Sequence, residues 1–238
     1  MKAMILAAGL GTRLKPWTDQ HPKALALINS KSLLQRNVEY LQQFGIYNVV
    51  VNVHHFPEQI LEAVQKNNGW GSNIIISDER DAILETGGGL KKAAPFLQDE
   101  NDFVLMNVDV LTDLKLNEMI ADHFKNKPLA TLATTQRTTS RYFLFNDNNE
   151  LCGWRNVETG IDKIARQSAK YYQKAFSGIH IISNRIFSLM HQVGKFSIID
   201  IYLEAAKSEI IRSFDHSISR FIDVGKPDRI VKAEAIFA

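Results

Sequence analysis

Cysteine is nearly missing from this chain: Cys152 is the only one among 238 residues. An internal disulfide framework is therefore excluded, which is compatible with a reducing compartment. Long hydrophobic runs are missing too. None approaches the roughly 20 residues of a membrane-crossing helix. The amino-terminal MKAMILAAGLG holds one lysine and a short apolar stretch with no longer one behind it. It reads as a buried first strand, not as a signal peptide. Neither sign of charge dominates: 28 Lys and Arg stand against 26 Asp and Glu, for a net charge of +2. The basic residues are scattered among acids, so no stripe for nucleic acid forms. Linkers, repeats and low-complexity tracts are absent. With 45% hydrophobic residues, a chain of this length buries a full core without metal or disulfide support. These absences point to a soluble cytoplasmic protein with no membrane or nucleic-acid partner.

What is present is an alternation of strand and helix. Residues 2–7, 48–53, 73–77 and 102–107 are short apolar runs that read as buried strands. Between them, 31–44 has apolar residues at helical spacing and stops at Gly45, and Pro57 opens a second helix. Gly87-Gly88-Gly89 reads as a turn into a helix over 90–97, and 116–124 reads as another helix. The pattern predicts a mainly parallel sheet with helices on both faces. Such sheets bind ligands beyond the carboxyl ends of their strands. After about residue 129 the texture changes to short strands at 129–135, 142–145, 151–155 and 174–182, with a hairpin turn at 147–150. Helices at 184–192 and 198–207, strands at 210–213 and 221–224, and a helix opened by Pro227 complete the reading. Residues 1–238 are expected to form one domain, with a nucleotide-binding half over 1–128 and a lid-like substrate half over 129–238.

The segment Leu6-Ala7-Ala8-Gly9-Leu10-Gly11-Thr12-Arg13-Leu14 follows the first strand. It lacks the third glycine of a dinucleotide fingerprint; Leu14 stands there, and Thr-Arg follows the second glycine. Gly9 and Gly11 let backbone N–H groups approach phosphate oxygens. Arg13 can grip those oxygens with a planar fork, Thr12 can donate a hydroxyl, and Lys23 is a movable point charge on the same loop. Glu85-Thr86-Gly87-Gly88-Gly89 fits two readings equally. Its glycines, Gly88 among them, allow a flat base to lie on bare backbone with Glu85 accepting from a base N–H; or a surface glutamate simply precedes a helix. Asp109 ends an apolar strand, where a carboxylate can hold Mg²⁺ against phosphate oxygens or cap the next loop. His54 and His55 end a strand with no further metal ligand nearby and read as structural. No Ser, Cys or His sits in a triad-like setting.

The Gly9–Arg13 segment followed by Pro22-Lys23 resembles the signature of the sugar-phosphate nucleotidylyltransferases, the NDP-sugar pyrophosphorylases. The likeness runs from Met1 to Asp223-Val224-Gly225. It implies a Rossmann-like (GT-A-like) nucleotidyltransferase sheet with a smaller mixed β sugar-binding lid. It also implies an enzyme that joins a nucleoside triphosphate to a sugar 1-phosphate and releases pyrophosphate. Gly9, Leu10, Gly11, Thr12, Arg13 and Lys23 match the triphosphate loop. Glu85 and Gly88 match the base-reading turn. Asp109 and Asp223 match the two metal aspartates, with Mg²⁺ as cofactor, and Arg13, Lys23 and Asp109 form the catalytic set. Val108 and Phe221 depart from the family's Gly-Asp and Trp/Tyr-x-Asp-x-Gly patterns. Asn107 and Glu158 are candidate sugar contacts, Glu158 being alternatively a solvated loop acid. Gly178 is a sugar contact or a strand bulge.

The Glu-Lys-Pro motif that grips sugar phosphate in many members is missing, leaving Lys163, Arg166, Lys170 and Lys174 as unassigned basic residues. Glu-Thr-Gly-Gly-Gly resembles the N-acetylmuramate 1-phosphate uridylyltransferases, which implies UTP as donor and NDP-sugar biosynthesis for the cell wall. A guanylyltransferase using GTP and mannose or heptose 1-phosphate is the alternative, then a cytidylyltransferase or a non-catalytic nucleotide-sugar sensor. A nicotinamide oxidoreductase is disfavoured by Leu14 and Thr12-Arg13. A monomer or small homo-oligomer with no appended acyltransferase or left-handed β-helix domain is expected.

Overall fold

The computed structural model describes residues 1–237. The chain opens with β1 (Ala3–Leu6) and a loop carrying β2 (Leu27–Ile28) and β3 (Lys31–Ser32). It continues through α1 (Leu33–Gln42), β4 (Asn48–Val53), α2 (Pro57–Lys66), β5 (Asn73–Asp78), α3 (Glu85–Leu97), β6 (Asp102–Asn107), β7 (Val110–Thr112) and α4 (Leu116–Asn126). The second half supplies β8 (Ala130–Thr135), β9 (Arg141–Phe145), β10 (Leu151–Asn156), β11 (Ile161–Ile164) and β12 (Tyr172–Ser183). It ends with α5 (Ile186–Leu189), α6 (Ile198–Ala205), β13 (Ile211–Asp215), β14 (Phe221–Asp223) and α7 (Pro227–Ile236). No helix among the described residues is long and apolar enough to cross a membrane.

Successive side chains of a strand point to opposite faces, and here that alternation builds two cores. Ala3, Ile5, Val49, Val51, Val104 and Met106 face one side, where Leu34, Val38 and Leu41 of α1, Ile60 of α2 and Met119 of α4 meet them. Met4, Val50, Phe103 and Leu105 face the other, against Leu90 and Leu97 of α3 and Ile201 and Tyr202 of α6. Burial on both faces is why these strands read as unbroken apolar runs. Strands β6, β1, β4 and β5 run parallel in that order. Local chemistry sets the helix ends. The Ser32 hydroxyl accepts from the N–H of Gln35 at 3.1 Å to cap α1, and Pro57 opens α2.

The second half extends the same sheet as a largely antiparallel wing, giving ten strands in all. Strand β12 is the seam. Its later residues pair with β6 on one edge and β8 on the other, and its first residues pair with β9. The register with β8 slips between Phe176 and His180, so Gly178 sits in a bulge, at φ 75°. Of the two readings for Gly178, the bulge is present.

The strands expected at 48–53 and 102–107 have those bounds. Two local expectations need correction, and one strand was not foreseen. Gly87, Gly88 and Gly89 lie inside α3, not in a turn before it. They are there because neighbours crowd them: a Cβ would come within 2.5 Å of the Phe196 ring at Gly87 and 2.3 Å of the Gly194 carbonyl oxygen at Gly88. The helix expected over 184–192 is the single turn α5. Strand β11 was invisible because all four of its residues are exposed, so it carries no apolar alternation.

Two predictions follow from the seam. Gly178→Ala forces a side chain into the left-handed region, at a cost of about 1–2 kcal/mol. The new Cβ would also lie 2.7 Å from Nδ2 of Asn107. Urea denaturation should show a lowered midpoint; an unchanged one refutes the crowding. His180, also on β12, hydrogen-bonds the Tyr202 hydroxyl through Nδ1 at 2.7 Å, and burial pushes it down to about 3. Below about pH 6.5 the unfolded chain takes up a proton that the folded chain refuses, so stability falls as the pH drops. The decline of Tm between about pH 6.5 and about pH 3 should be shallower in His180→Gln. Parallel curves would show that His180 does not contribute.

Candidate active site

The parallel strands β1, β4 and β6 end on one rim, and a cavity of about 370 Å³ opens there. Main chain from Leu6 to Gly9 forms one wall, Asn107 to Asp109 another, and Glu85 and Thr86 at the start of α3 a third. The rim is rigid because buried amides tie its strands together. Asn37 of α1 donates to the Val108 carbonyl at 2.7 Å, and the Asn52 side chain accepts from the Ala7 N–H at 2.7 Å. Val108 is itself buried in the core, where a glycine would leave a gap.

Strand β14 pairs antiparallel with β7, setting Asp223 opposite Val110. The Val224 N–H donates to the carbonyl of Asp109 at 2.8 Å. Two acids from distant parts of the chain thereby become neighbours. Asp223 is open to solvent but lies in a concave crevice. Desolvation there raises its carboxyl above the usual carboxylate range, and the charge of Asp109 raises it further; Lys23, Arg13 and Arg137 oppose both. Lys23 is buried and its ammonium pairs with Oδ2 of Asp109. At Gly225 a Cβ would lie 2.6 Å from Nη2 of Arg13 and 2.7 Å from Oδ1 of Asp223. Only glycine lets the guanidinium and the carboxylate close over that backbone together.

Two carboxylates held side by side repel each other, and their oxygens suit a hard divalent cation that keeps water and phosphate as its other ligands. The residues therefore fit such an ion. Among the described residues no cluster of three or more His, Cys, Asp or Glu exists that would close a site by protein ligands alone. Substrate oxygens would have to complete it.

The far end of the cavity is polar below and strained above. Glu85 enters α3 at φ 60°, a region a non-glycine residue occupies only under constraint. Its carboxylate lies 3.6 Å from the Lys195 ammonium. Beneath Gly89 of α3, the buried Glu79 accepts from Nδ2 of Asn52 at 2.7 Å. Its second oxygen has no partner, and burial raises its pKa. Sequence reasoning missed Asn52 and Glu79. Asn52 did leave a signal, a polar residue inside the apolar run 49–53.

The sequence candidates separate clearly. Gly9, Lys23, Glu85, Asn107 and Asp109 line the cavity. Arg13 and Asp223 line the adjoining crevice. A Cβ on Gly9 would meet nothing within 4 Å, so its backbone is bare. Leu10 is 39% exposed, and Leu10, Gly11 and Thr12 do not line the cavity. Gly88 is taken up by packing on Gly194 and does not line the cavity. Gly178 backs onto Asn107, which does line it. Glu158 lies in the exposed turn between β10 and β11, its N–H donating to Oδ1 of Asn156 at 3.0 Å, and lines neither space. That placement is the solvated loop acid.

The basic residues of 163–174 are engaged elsewhere. Lys163 pairs with Asp200 at 3.3 Å, Arg166 with Glu150 at 3.2 Å, Lys170 lies over the Tyr172 ring, and Lys174 donates to Asn149 at 2.9 Å. His54 and His55 bind the carbonyls of Glu79 and Thr18, as structural residues do. Ser177 and His216 are hydrogen-bonded at 2.8 Å, but Nδ1 of His216 has no partner, so the pair lacks the third member of a triad. The β12 bulge brings them together. Both are 2% exposed, so the pair is sealed from any substrate.

Comparison with known proteins follows the same lines. The family model described as nucleotidyl transferase matches residues 2–236. Mannose-1-phosphate guanyltransferase from Yarrowia lipolytica is 28% identical over 241 residues, covering 100% of this chain and 64% of that protein. N-acetylmuramate alpha-1-phosphate uridylyltransferase from Caulobacter vibrioides is 43% identical over 110 residues, 45% of each chain. The chain thus spans under two thirds of the length of both relatives. HddC from Yersinia pseudotuberculosis, whose crystal structure holds GMP-PN, shares the fold with a TM-score of 0.79 at 23% identity, over 100% of this chain and 99% of that one. A glycine loop and two acids at one rim, within a match that runs almost end to end, place the chain in the nucleotidyl transferase family.

Proposed function

We propose that this chain transfers a nucleoside monophosphate from a nucleoside triphosphate to a sugar 1-phosphate, giving an NDP-sugar and pyrophosphate. The observation that carries the reading is the meeting of Asp109 and Asp223 across the β7–β14 ribbon, with Lys23 and Arg13 against them. UTP is the proposed donor and N-acetylmuramate 1-phosphate the proposed type of acceptor. The stretch that matches the Caulobacter uridylyltransferase at 43% identity supports this.

In this reading the bare backbone at Gly9 and the guanidinium of Arg13 receive the triphosphate. Glu85 and Thr86 meet the base, while Asn107 and the Gly178 backbone behind it meet the sugar. Asp109 and Asp223 would hold Mg²⁺, which supplies charge neutralisation to the phosphate oxygens. The acceptor's phosphate oxygen attacks the α-phosphorus in line, and pyrophosphate leaves opposite. Lys23 then exchanges its contact with Asp109 for the charge that develops on phosphate. No protein nucleophile is required, so catalysis consists of positioning and electrostatics. We assign residues 1–128 to the nucleotide and 129–238 to the sugar within one unit, working in the cytoplasm as a monomer or small homo-oligomer.

The guanylyl alternative has its own support, since the Yarrowia guanyltransferase matches the whole of this chain. Pyrophosphate release should be measured over UTP, GTP, CTP and dTTP against N-acetylmuramate, mannose, heptose and glucose 1-phosphates. Turnover best with UTP and N-acetylmuramate 1-phosphate is expected. GTP with mannose or heptose 1-phosphate would move the assignment to the alternative, and no release with any pair would refute transfer. With the active pair, Lys23→Ala should lower kcat by on the order of 10²-fold, the loss of one transition-state charge contact. Near-normal turnover would remove Lys23 from the mechanism.

A further inference from the structure

Beside the cavity lies a second crevice of about 460 Å³, and its charges do not balance. Arg13, Arg137, Lys226 and Arg229 line it against one acid, Asp223. Arg137 follows β8 and was not among the sequence candidates. It is held at two points: Nη2 donates to the Phe176 carbonyl at 2.7 Å, and the guanidinium lies over the Phe221 ring, 5.2 Å from its centroid. A guanidinium has five N–H donors. Among the described residues, the Phe176 bond is the only one that Arg137 makes. Its crowded setting pushes its pKa below the ordinary arginine value, with Arg229 adding to that effect and Asp223 opposing it. Fixed in place, with free donors and unbalanced positive charge around it, Arg137 is prepared for a dianion.

The anchor indicates which dianion. Phe176 stands two positions before Gly178, whose backbone backs onto Asn107 at the cavity wall. Arg137 is therefore tied to the second half of the chain, whereas Arg13 and Lys23 ride on the amino-terminal loop. We propose that Arg137 holds the phosphate group of the sugar 1-phosphate acceptor beside Asp223, with Arg13 across the same crevice. This rests on the transferase reading. It assigns to Arg137 a task that Lys163, Arg166, Lys170 and Lys174, which line neither the cavity nor the crevice, do not take.

The test is a comparison of wild type, Arg137→Gln and Arg137→Lys in steady state, with N-acetylmuramate 1-phosphate and mannose 1-phosphate as acceptors. Losing a charged hydrogen bond should raise the acceptor KM about 10- to 100-fold, while the KM for the nucleoside triphosphate stays within about twofold. Arg137→Lys should recover part of the loss, because it restores charge without the fork. A rise confined to the triphosphate KM would assign the crevice to the donor and overturn the proposal, as would unchanged constants.

Should wild type release no pyrophosphate with any pair, the transferase reading fails, and the crevice is judged by inorganic phosphate alone. Thermal stabilisation by phosphate, relative to chloride at equal ionic strength, is then expected in wild type and lost in Arg137→Gln. Equal stabilisation of both overturns the anion site.

Discussion

The β7–β14 ribbon is the contact on which the site depends. Three residue pairs align Phe221–Asp223 with Val110–Thr112, and one backbone bond from Val224 fixes Asp109 beside them. Without that ribbon, Asp223 would be a loop acid and Asp109 a strand-end acid bound only to Lys23. With it, two like charges share one corner, and the pKa of Asp223 is raised, first by desolvation and then by the charge of Asp109. The fold opposes both effects by crowding Lys23, Arg13 and Arg137 onto the same corner. A mixture of acid repulsion and cationic rescue is stable as it stands and is also prepared for exchange: a divalent ion and a polyphosphate carry the same two signs of charge.

The scaffold around the corner is built from uncharged groups. Asn37 and Asn52 are buried amides that each hydrogen-bond a backbone group of the rim, Val108 and Ala7, and Asn52 also donates to Glu79. Their placement converts the frayed ends of parallel strands into fixed walls, since buried polar groups hold position only when satisfied. Glu79 is the exception, with one carboxylate oxygen unpaired beneath α3. Burial holds its pKa above the ordinary glutamate value, against the hydrogen bond from Asn52.

The parallel half was legible in the sequence because doubly buried strands leave unbroken apolar runs; Asn48–Val53 and Asp102–Asn107 needed no tertiary information. The glycine loop stood out because its residues are contiguous, and Asp109 because it ends one of those runs. The glycines of α3 misled for a physical reason. Glycine in a helix interior is locally unfavourable, and only the approach of Phe196 and Gly194 explains it. Asn52, Glu79 and Arg137 share a different obstacle: each matters through a neighbour distant in sequence. Lys163, Arg166, Lys170 and Lys174 show the converse, basic residues in a suggestive stretch whose charges are spent within the antiparallel wing.

The two halves of the chain therefore differ in how they carry specificity. On the parallel side, the proposed reading has phosphate met by backbone and by side chains from one short loop, so a contiguous motif marks it. On the antiparallel side, the groups proposed to face an acceptor are set by β12, which must pair with β6, β8 and β9 at once. The bulge at Gly178 reconciles those registers, and it also positions the Phe176 carbonyl that anchors Arg137. A shift of one residue in that seam would turn β12's side chains to the opposite face and move the Arg137 anchor. The donor loop would be left intact. In the proposed reading, contacts to an acceptor depend on strand register, which a linear motif does not encode.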